Sequence, residues 1–224
     1  MSVVTTSRCT RFDHPEFQIS YDSALVPVAE DVAWLVRWLE DTVERGARYL
    51  PGQTIQVGWS LVQVREVNDG FLSLWEPDWA TMPINWVESV SHALSHLRVQ
   101  KDVVESFIPA VEMAFPSLQE SAIICSRLGD EGELVLDRFE PKGHSSGWFF
   151  GCADVDHNHN DAAQLQVLSL YEVSVRRTSR VIPYLALPPG TLIELCAGCP
   201  HVFQGDRPLA FAPGSYLARR FPKA

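Results

Sequence analysis

The chain has 224 residues and a net charge of −10, and it is 46% hydrophobic and 21% charged. Those proportions are typical of a globular protein with a hydrophobic core. No apolar run approaches the roughly 20 residues that a membrane helix needs, and the N-terminal residues lack the apolar core of a secretory signal. We therefore expect a cytoplasmic protein. Its five scattered cysteines favour reduced thiols over a disulfide framework.

Acidic charge is concentrated in the first half of the chain. Residues 1–112 contain 16 acidic and 8 basic side chains, whereas residues 113–224 contain 12 and 10. A strongly acidic protein repels nucleic acid and anionic lipid and attracts basic partners. The charge alone favours a simple role in solubility, because net charge governs association and not fold.

Apolar periodicity predicts a helix and then a hairpin in the first half. Hydrophobic residues recur at helical spacing over Val32–Val43, and they alternate as in a strand over Ile55–Leu61. Val62 and Val64 reverse that alternation, which indicates a bulge. Asn68-Asp69-Gly70 between two apolar runs predicts a tight hairpin turn. A second helix is predicted from about Asn85 to Phe107.

The second half is predicted to consist of short strands and one brief helix. Asp161 is a suitable cap for a helix over Ala162–Leu170. Strands are predicted at 122–125, 134–136, 146–152 and 191–195. Because strands and helices are mixed without a βαβ rhythm, the predicted fold class is α+β, with mixed or antiparallel sheets and a few packing helices.

Composition also predicts two subdomains. Six of the seven tryptophans lie between Trp34 and Trp86, and the seventh is Trp148. The stretch Pro109–Glu120 contains two prolines and is predicted to be a linker or a loop. We therefore expect an acidic, tryptophan-rich α+β domain over residues 1–112 and a second α+β domain over residues 113–224.

The most obvious metal-ligand motif is incomplete. Cys196, Cys199 and His201 lie within six residues, with a turn expected at Ala197-Gly198, and His157 and His159 are the nearest candidates for further ligands. A structural zinc needs four ligands in a tetrahedron, and a single Cys-x-x-Cys supplies half of them. On a strand, the two alternating histidines would point apart. We therefore predict no metal and no cofactor.

The loop Asp154–Asp161 resembles a calcium loop but departs from its pattern. Counted from Asp154, the sixth and twelfth positions are His159 and Leu165, where a calcium-binding helix–loop–helix needs Gly and Glu. A solvated loop, in which Asx side chains bond nearby backbone amides, is the better interpretation.

Two arrangements suggest nucleophilic catalysis only weakly. Cys152 could pair with His144 or His157, and Gly143–Gly147 matches G-x-S-x-G. That motif needs its serine at a strand-to-helix turn. Here the following residues, Trp148–Phe150, have the character of a strand, so we interpret the match as chance.

Glu76, Asp78, Trp75 and Trp79 form an acidic and aromatic segment at the end of a predicted strand. Aromatic residues are enriched both at interface hot spots and in ordinary cores. The segment is therefore equally compatible with a contact patch and with a piece of the core.

The second half, about Ser121 to Phe203, resembles the bacterial immunity-protein family numbered thirty-three among polymorphic-toxin systems, formerly a domain of unknown function. The resemblance depends on Ser146-Gly147-Trp148-Phe149, on the acidic loop Asp154–Asp161, on a short helix around Val167–Tyr171, and on Ile182–Leu185 with Pro188–Thr191. Family members typically have an acidic residue before the serine, and here that residue is Ser145.

The resemblance implies a non-catalytic protein that binds and neutralises a cognate toxin. The acidic first half agrees with this independently, because it would steer the protein to a basic toxin. The alternative is an enzyme, such as a metal-dependent hydrolase, that uses the loop of His157 and His159. The residues predicted to contact the partner are Glu76, Asp78, Trp75, Trp79, Asp154 and Asp156.

Overall fold

Residues 1–154, 156–196 and 199–222 are described by a computed structural model. The chain divides into two units, Met1–Arg98 and Val99–Ala224, and each unit contains its own large sheet. The predicted division into residues 1–112 and 113–224 remains a prediction. The units are referred to below as unit 1 and unit 2.

Unit 1 is a six-stranded sheet with a helix packed against it. The sheet contains β1 (Ser2–Thr5), β2 (Phe17–Tyr21), β3 (Thr54–Val57), β4 (Ser60–Glu66), β5 (Leu72–Pro77) and β6 (Trp86–Val87), and its order is β1-β2-β5-β4-β3, with β6 against β5. Helix α1 (Ala29–Glu44) buries Val32, Leu35, Leu39 and Val43, which are the residues whose spacing predicted it. These side chains join the sheet in one hydrophobic core.

The reversal of hydrophobic alternation near residue 62 marks a turn and not a bulge. The chain turns at Gly58 and Trp59, where Gly58 has φ of +61°, and β3 and β4 pair as a hairpin. The prediction of one strand over Ile55–Leu61 was therefore wrong. The predicted hairpin around Asn68–Gly70 is confirmed, because β4 and β5 are antiparallel across a short 3-10 turn.

Helix α2 (Ser91–Val104) is shorter than predicted at both ends. Its predicted first turns instead contain β6, whose two residues pair with Glu76 and Pro77 of β5. Ser106 and Phe107 follow the helix, and Phe107 begins the next strand.

Unit 2 contains a seven-stranded sheet and a separate two-stranded ribbon. The ribbon pairs β7 (Phe107–Ile108) with β15 (Ala210–Phe211). The large sheet has the order β11-β8-β10-β9-β12-β13-β14. Its strands are β8 (Ser121–Cys125), β9 (Leu134–Arg138), β10 (Ser145–Cys152), β11 (Leu165–Ser169), β12 (Thr191–Leu195), β13 (Pro200–Gln204) and β14 (Arg207–Pro208). Strands β8 and β10 are parallel, and the other neighbours are antiparallel.

The predicted helix over Ala162–Leu170 was wrong for most of its length. Ala162–Gln164 is a 3-10 turn, the next five residues form β11, and helix α3 (Leu170–Arg176) begins only afterwards. Ser169 and Glu172 form a capping box that fixes this start, because each side chain bonds the backbone N–H of the other residue. A last short helix, α4, covers Tyr216–Arg220.

One face of the large sheet forms the core of unit 2. Trp148 is 1% exposed within β10, the strand predicted over residues 146–152. Its ring stacks on Phe150 with centroids 5.6 Å apart. The mixed and antiparallel sheets with few helices confirm the predicted α+β class. Among the residues described, no helix combines the length and hydrophobicity needed to cross a membrane.

Candidate functional site

The loop after β10 is folded by its own Asx side chains. The Oδ1 atoms of Asp154, Asn158 and Asp161 each accept a hydrogen bond, at 3.0 Å, from the backbone N–H two residues further along. These are the Asx turns that the sequence suggested in place of a calcium loop. The bond from the Asp156 N–H, helped by the nearby Arg127, lowers the pKa of Asp154. Asp154 and Asp156 are exposed.

Below this loop, two parallel strands end side by side in cysteines. Cys125 is the last residue of β8 and Cys152 is the last residue of β10. The carboxyl ends of parallel neighbours lie at the same edge of a sheet, so the two thiols come together although 27 positions separate them in sequence. The backbone N–H of Cys152 donates to Cys125 Sγ at 3.2 Å.

The Asx turns bring two histidines onto these thiols. His157 Nδ1 is 3.1 Å from Cys152 Sγ, and His159 Nε2 is 3.7 Å from the same sulfur. The two imidazole rings are 4.7 Å apart. The expectation that His157 and His159 point apart assumed a strand, and the turns between them remove that constraint. We call Cys125, Cys152, His157 and His159 the Cys–His cluster.

Gly151 gives His159 its space. A Cβ atom at Gly151 would lie 2.8 Å from the Phe149 ring and 3.2 Å from His159 Cε1, closer than ordinary contacts. His159 also packs edge-on against Phe149, with ring centroids 5.4 Å apart. The glycine that ends the aromatic run therefore admits the imidazole to the cluster.

Burial favours the neutral forms of two members of the cluster. It raises the pKa of the Cys125 thiol, against the opposing effect of the backbone N–H of Cys152. Burial and the neighbouring His157 lower the pKa of His159. His157 is 7% exposed, and its Nε2 atom is buried without a hydrogen-bond partner among the residues described. Chemically, this group of atoms resembles a ligand set for a soft metal ion, and Cys152 with His157 resembles a thiol–imidazole pair.

The other residues considered for nucleophilic catalysis do not form a catalytic arrangement in the described structure. Ser145 and Ser146 begin β10, so G-x-S-x-G continues into a strand and not into a helix. Ser146 Oγ donates to the carbonyl oxygen of Ser121 at 2.8 Å, and His144 is exposed. The interpretation of that motif as chance agrees with this geometry.

The Cys196 and Cys199 motif does not form one ligand group. Cys196 approaches Glu194 and His201, whereas the thiol of Cys199 is directed to the carbonyl oxygen of Pro200 at 3.5 Å. The side chain of His201 is 61% exposed and lies 3.7 Å from Glu194 Oε2. The turn predicted at Ala197-Gly198 lies outside the described residues.

Glu76 lies inside unit 1. Its side chain accepts the backbone N–H groups of His92 at 3.1 Å and of Ala93 at 2.8 Å, at the start of α2. The residue is fully buried. A carboxylate at this position complements the partial positive charge of a helix N-terminus. Glu76 therefore acts as a helix cap, and it has no exposed surface with which to contact a partner.

The other members of the acidic and aromatic segment are partly exposed. Trp75 donates its indole N–H to Ser73 Oγ at 2.8 Å, and the guanidinium of Arg65 lies 4.0 Å from the centre of its ring. Trp79 packs against Trp59, with centroids 5.2 Å apart. Asp78 Oδ1 accepts the N–H of Ala80. The segment therefore belongs partly to the core and partly to the surface.

The second face of the unit 2 sheet carries an exposed apolar row that the sequence analysis missed. Directly paired positions share a face, and one such row crosses six strands. Its apolar members are Val167, Ile123 and Phe149 on neighbouring strands and, beyond the acidic Asp137, Leu192 and Phe203. Phe149, Leu192 and Phe203 are half-buried. Val167 is 67% exposed and Ile123 is 43% exposed. The sequence contains two pairs of consecutive apolar residues, Ile123-Ile124 and Phe149-Phe150, which indicate apolar side chains on both faces of the sheet. Only the strand register shows which residue of each pair faces outward.

Comparison with known proteins gives a family-model match over part of the chain. Residues 99–203 match the family model of the Imm33-like domain, which confirms the resemblance found from the motifs. The match begins at Val99, the first residue of unit 2. No curated protein and no solved structure matches the chain.

Proposed function

We propose that this protein is a bacterial immunity protein that binds a cognate toxin and neutralises it without catalysis. The observation that carries the proposal is the match of residues 99–203 to the Imm33-like domain. The family's name points to protection against a protein toxin, and such protection requires a contact surface and no reacting group. The sequence-based expectation of a cytoplasmic location is part of the proposal.

We assign the main contact surface to the exposed apolar row of unit 2. Val167 and Ile123 are adjacent across β11 and β8, and Phe149 continues the row on β10. Isolated apolar side chains are common on protein surfaces, but contiguous apolar patches with polar rims are typical of interaction sites. Asp154 and Asp156 follow the end of β10 and supply acidic groups at the rim.

Charge favours a basic partner. The chain has a net charge of −10, and exposed acidic groups accelerate association with a basic surface and oppose binding to nucleic acid or anionic membranes. In unit 1, Trp75, Asp78 and Trp79 remain proposed contacts because each is partly exposed. Glu76 supports this segment from within through its bonds to α2.

The test is binding to the product of the adjacent gene, together with protection of cells that express it. Ile123→Asp and Val167→Asp place a charge in the apolar row, and we expect each to weaken binding by ten-fold or more, which corresponds to about 1.4 kcal/mol. Val3→Asp is the matched control, since Val3 is 61% exposed on the edge strand β1 of unit 1. All three variants should melt like the wild type.

Electrostatic steering has a separate readout. Asp154→Asn with Asp156→Asn should slow association at low salt and leave dissociation nearly unchanged, because rim charges act mainly on the association rate. Asp78→Asn tests unit 1 in the same way. If the adjacent gene product binds equally to the wild type and to all row variants, the assignment of the surface is wrong. If it neither binds nor is neutralised, the proposed function is wrong.

A further inference from the structure

The spacing of the Cys–His cluster matches a tetrahedral metal site. Zinc binds thiolate sulfur at about 2.3 Å and imidazole nitrogen at about 2.0–2.1 Å, so sulfur and nitrogen ligands of one tetrahedron lie about 3.6 Å apart. Here Cys152 Sγ lies 3.1 Å from His157 Nδ1 and 3.7 Å from His159 Nε2. One ligand atom from each of the four residues lies within 4.8 Å of the others.

The burial of the Cys–His cluster also supports a metal site. Cys125 and His157 are buried, and Cys152 and His159 are half-buried. A buried imidazole is normally fixed by hydrogen bonds from its ring nitrogens. His157 instead directs Nδ1 at a thiol, and its buried Nε2 has no partner in the described part of the chain. A ligand role for Nδ1 accounts for the direction of the ring toward Cys152.

We propose that Cys125, Cys152, His157 and His159 bind one Zn²⁺ ion in a tetrahedral Cys₂His₂ site. Two thiolates balance the charge of the ion, and two imidazoles complete the ligand set that zinc prefers over the oxygen ligands of calcium and magnesium. Four protein ligands leave no open position, so the site is structural. This inference does not depend on the proposed function.

The zinc would join the loop to the sheet. Without it, the loop is attached through the ion pair of Arg127 with Asp154 and through the bonds of Ser126 to Gln164. With zinc, both strand ends and the loop would be tied at one point. Because binding to the folded state stabilises it by mass action, zinc should raise the melting temperature.

Two other chemistries for the same atoms are outcomes of the test. Cys125 and Cys152 are both free thiols in this structure, and oxidation would join them in a disulfide with loss of two hydrogen atoms to an external oxidant. Alternatively, Cys152 and His157 would act as a thiol–imidazole pair with a reactive thiolate. Each alternative excludes a zinc-bound Cys152.

The first experiment measures metal in the full chain, purified without an affinity tag and without chelator. We expect one equivalent of zinc by elemental analysis. Replacement with Co²⁺ should give the visible d–d bands of tetrahedral cobalt and a thiolate charge-transfer band. Retention of no zinc, and no cobalt spectrum on titration, would overturn the proposal.

Ligand variants locate the site. Cys152→Ser and His159→Gln should abolish the cobalt spectrum and the rise in melting temperature with added zinc. Cys196→Ser and His201→Gln are matched controls, since they remove the same ligand types from the more exposed group with Glu194. The assignment would be contradicted if the Cys196→Ser and His201→Gln variants lost zinc while the Cys152→Ser and His159→Gln variants kept it.

A measurement on the unchanged protein covers the case in which variants fail to fold. Alkylation with iodoacetamide, followed by peptide mass spectrometry, should leave Cys152 unlabelled in the zinc-loaded protein and label it after chelation. The half-buried Cys196 and Cys199 serve as internal references, and they should react in both states. Equal labelling of Cys152 with and without chelator, or a Cys125–Cys152 disulfide in freshly purified protein, would contradict zinc ligation.

Discussion

Trp148 donates its indole N–H to the carbonyl oxygen of Leu185 at 3.3 Å. This bond connects two of the segments on which the family resemblance depends, the Ser-Gly-Trp strand and the Ile-Pro-Tyr-Leu turn. The buried guanidinium of Arg138 donates to the same carbonyl oxygen at 3.2 Å, and burial lowers the pKa of Arg138 to about 10. The shared motifs are therefore structural, because they hold the core of unit 2 together.

Replacement of Trp148 should destabilise unit 2 strongly. Trp148→Ala removes a fully buried ring that stacks on Phe150, and such truncations cost about 3–5 kcal/mol. Trp148→Phe keeps most of the packing and removes the bond to Leu185, so we expect a smaller loss. Urea unfolding measures both changes. A Trp148→Ala protein as stable as the wild type would show that the ring contributes little to the core.

Gly147 should tolerate no side chain. It has φ of +81°, and a Cβ atom there would lie 2.1 Å from the carbonyl oxygen of Phe139, a backbone atom that cannot rotate away. We expect Gly147→Ala to cost more than the approximately 1 kcal/mol of a left-handed alanine alone. Gly143→Ala is the control, because Gly143 also has positive φ but nothing within 4 Å of its Cβ position. Equal melting temperatures of the two variants would contradict the steric argument.

Substitution of Glu76 should affect stability before it affects binding. Glu76→Gln keeps an acceptor but loses the charge at the start of α2, which we expect to cost about 1–2 kcal/mol. Glu76→Lys buries a cation against the same N–H groups and should prevent unit 1 from folding. Asp78→Lys, at a partly exposed position, is the control and should cost less than Glu76→Lys, because it removes the bond from the Ala80 N–H without burying a charge. Circular dichroism with urea unfolding distinguishes these outcomes.

His96 should make the stability of unit 1 fall in mild acid. Burial and, to a smaller extent, His92 lower the pKa of His96 to about 4, and Glu76 opposes the shift. Its ring packs against both Trp79 and Trp59. An unfolded histidine titrates near pH 6.5. As the pH falls, the histidine of the unfolded chain therefore takes up a proton first. The contribution of His96 to stability is fully present above about pH 6.5 and is lost between about pH 6.5 and 4.

The size of this effect follows from the shift. It amounts to at most about 3 kcal/mol, since one pKa unit corresponds to 1.36 kcal/mol and part of the ring remains exposed. His96→Gln should flatten the dependence of the unfolding free energy on pH across this window. His144→Gln, at an exposed histidine, should leave it unchanged. A wild-type and a His96→Gln curve of the same slope would contradict the shifted pKa.

The sequence predicted the helices and strands whose formation depends on the spacing of neighbouring apolar residues. The apolar spacing of α1 and the aromatic run of β10 each indicate one buried face, and the structure has both. The hairpin at Gly58 was missed because its two strands together imitate one alternating strand. Glu76 was predicted to contact a partner, in a segment equally compatible with the core. Its role as a helix cap was missed because the backbone N–H groups that it accepts begin 16 residues later, at His92.

The Cys–His cluster could not be predicted from the sequence, because its residues meet only in the folded chain. Its two cysteines meet only because β8 and β10 pair in parallel, and a parallel register leaves no periodic signal. Its two histidines converge because successive Asx turns replace the strand that their alternation suggested. Cys196 and Cys199, which are close together in sequence, form the clearer ligand motif, but the structure does not bring them into one ligand group.

The register of the unit 2 sheet separates two kinds of sequence constraint. Ile123, Phe149 and Leu192 face outward, while their chain neighbours Ile124, Phe150 and Ile193 are buried in the core. If the outward set forms the contact surface proposed above, mutations in it change recognition at little cost in stability, whereas mutations in the inward set reduce stability. On that proposal, the outward residues can diversify as the toxin changes while the fold is kept. A one-residue insertion in any one of these strands would exchange the outward and inward residues of that strand.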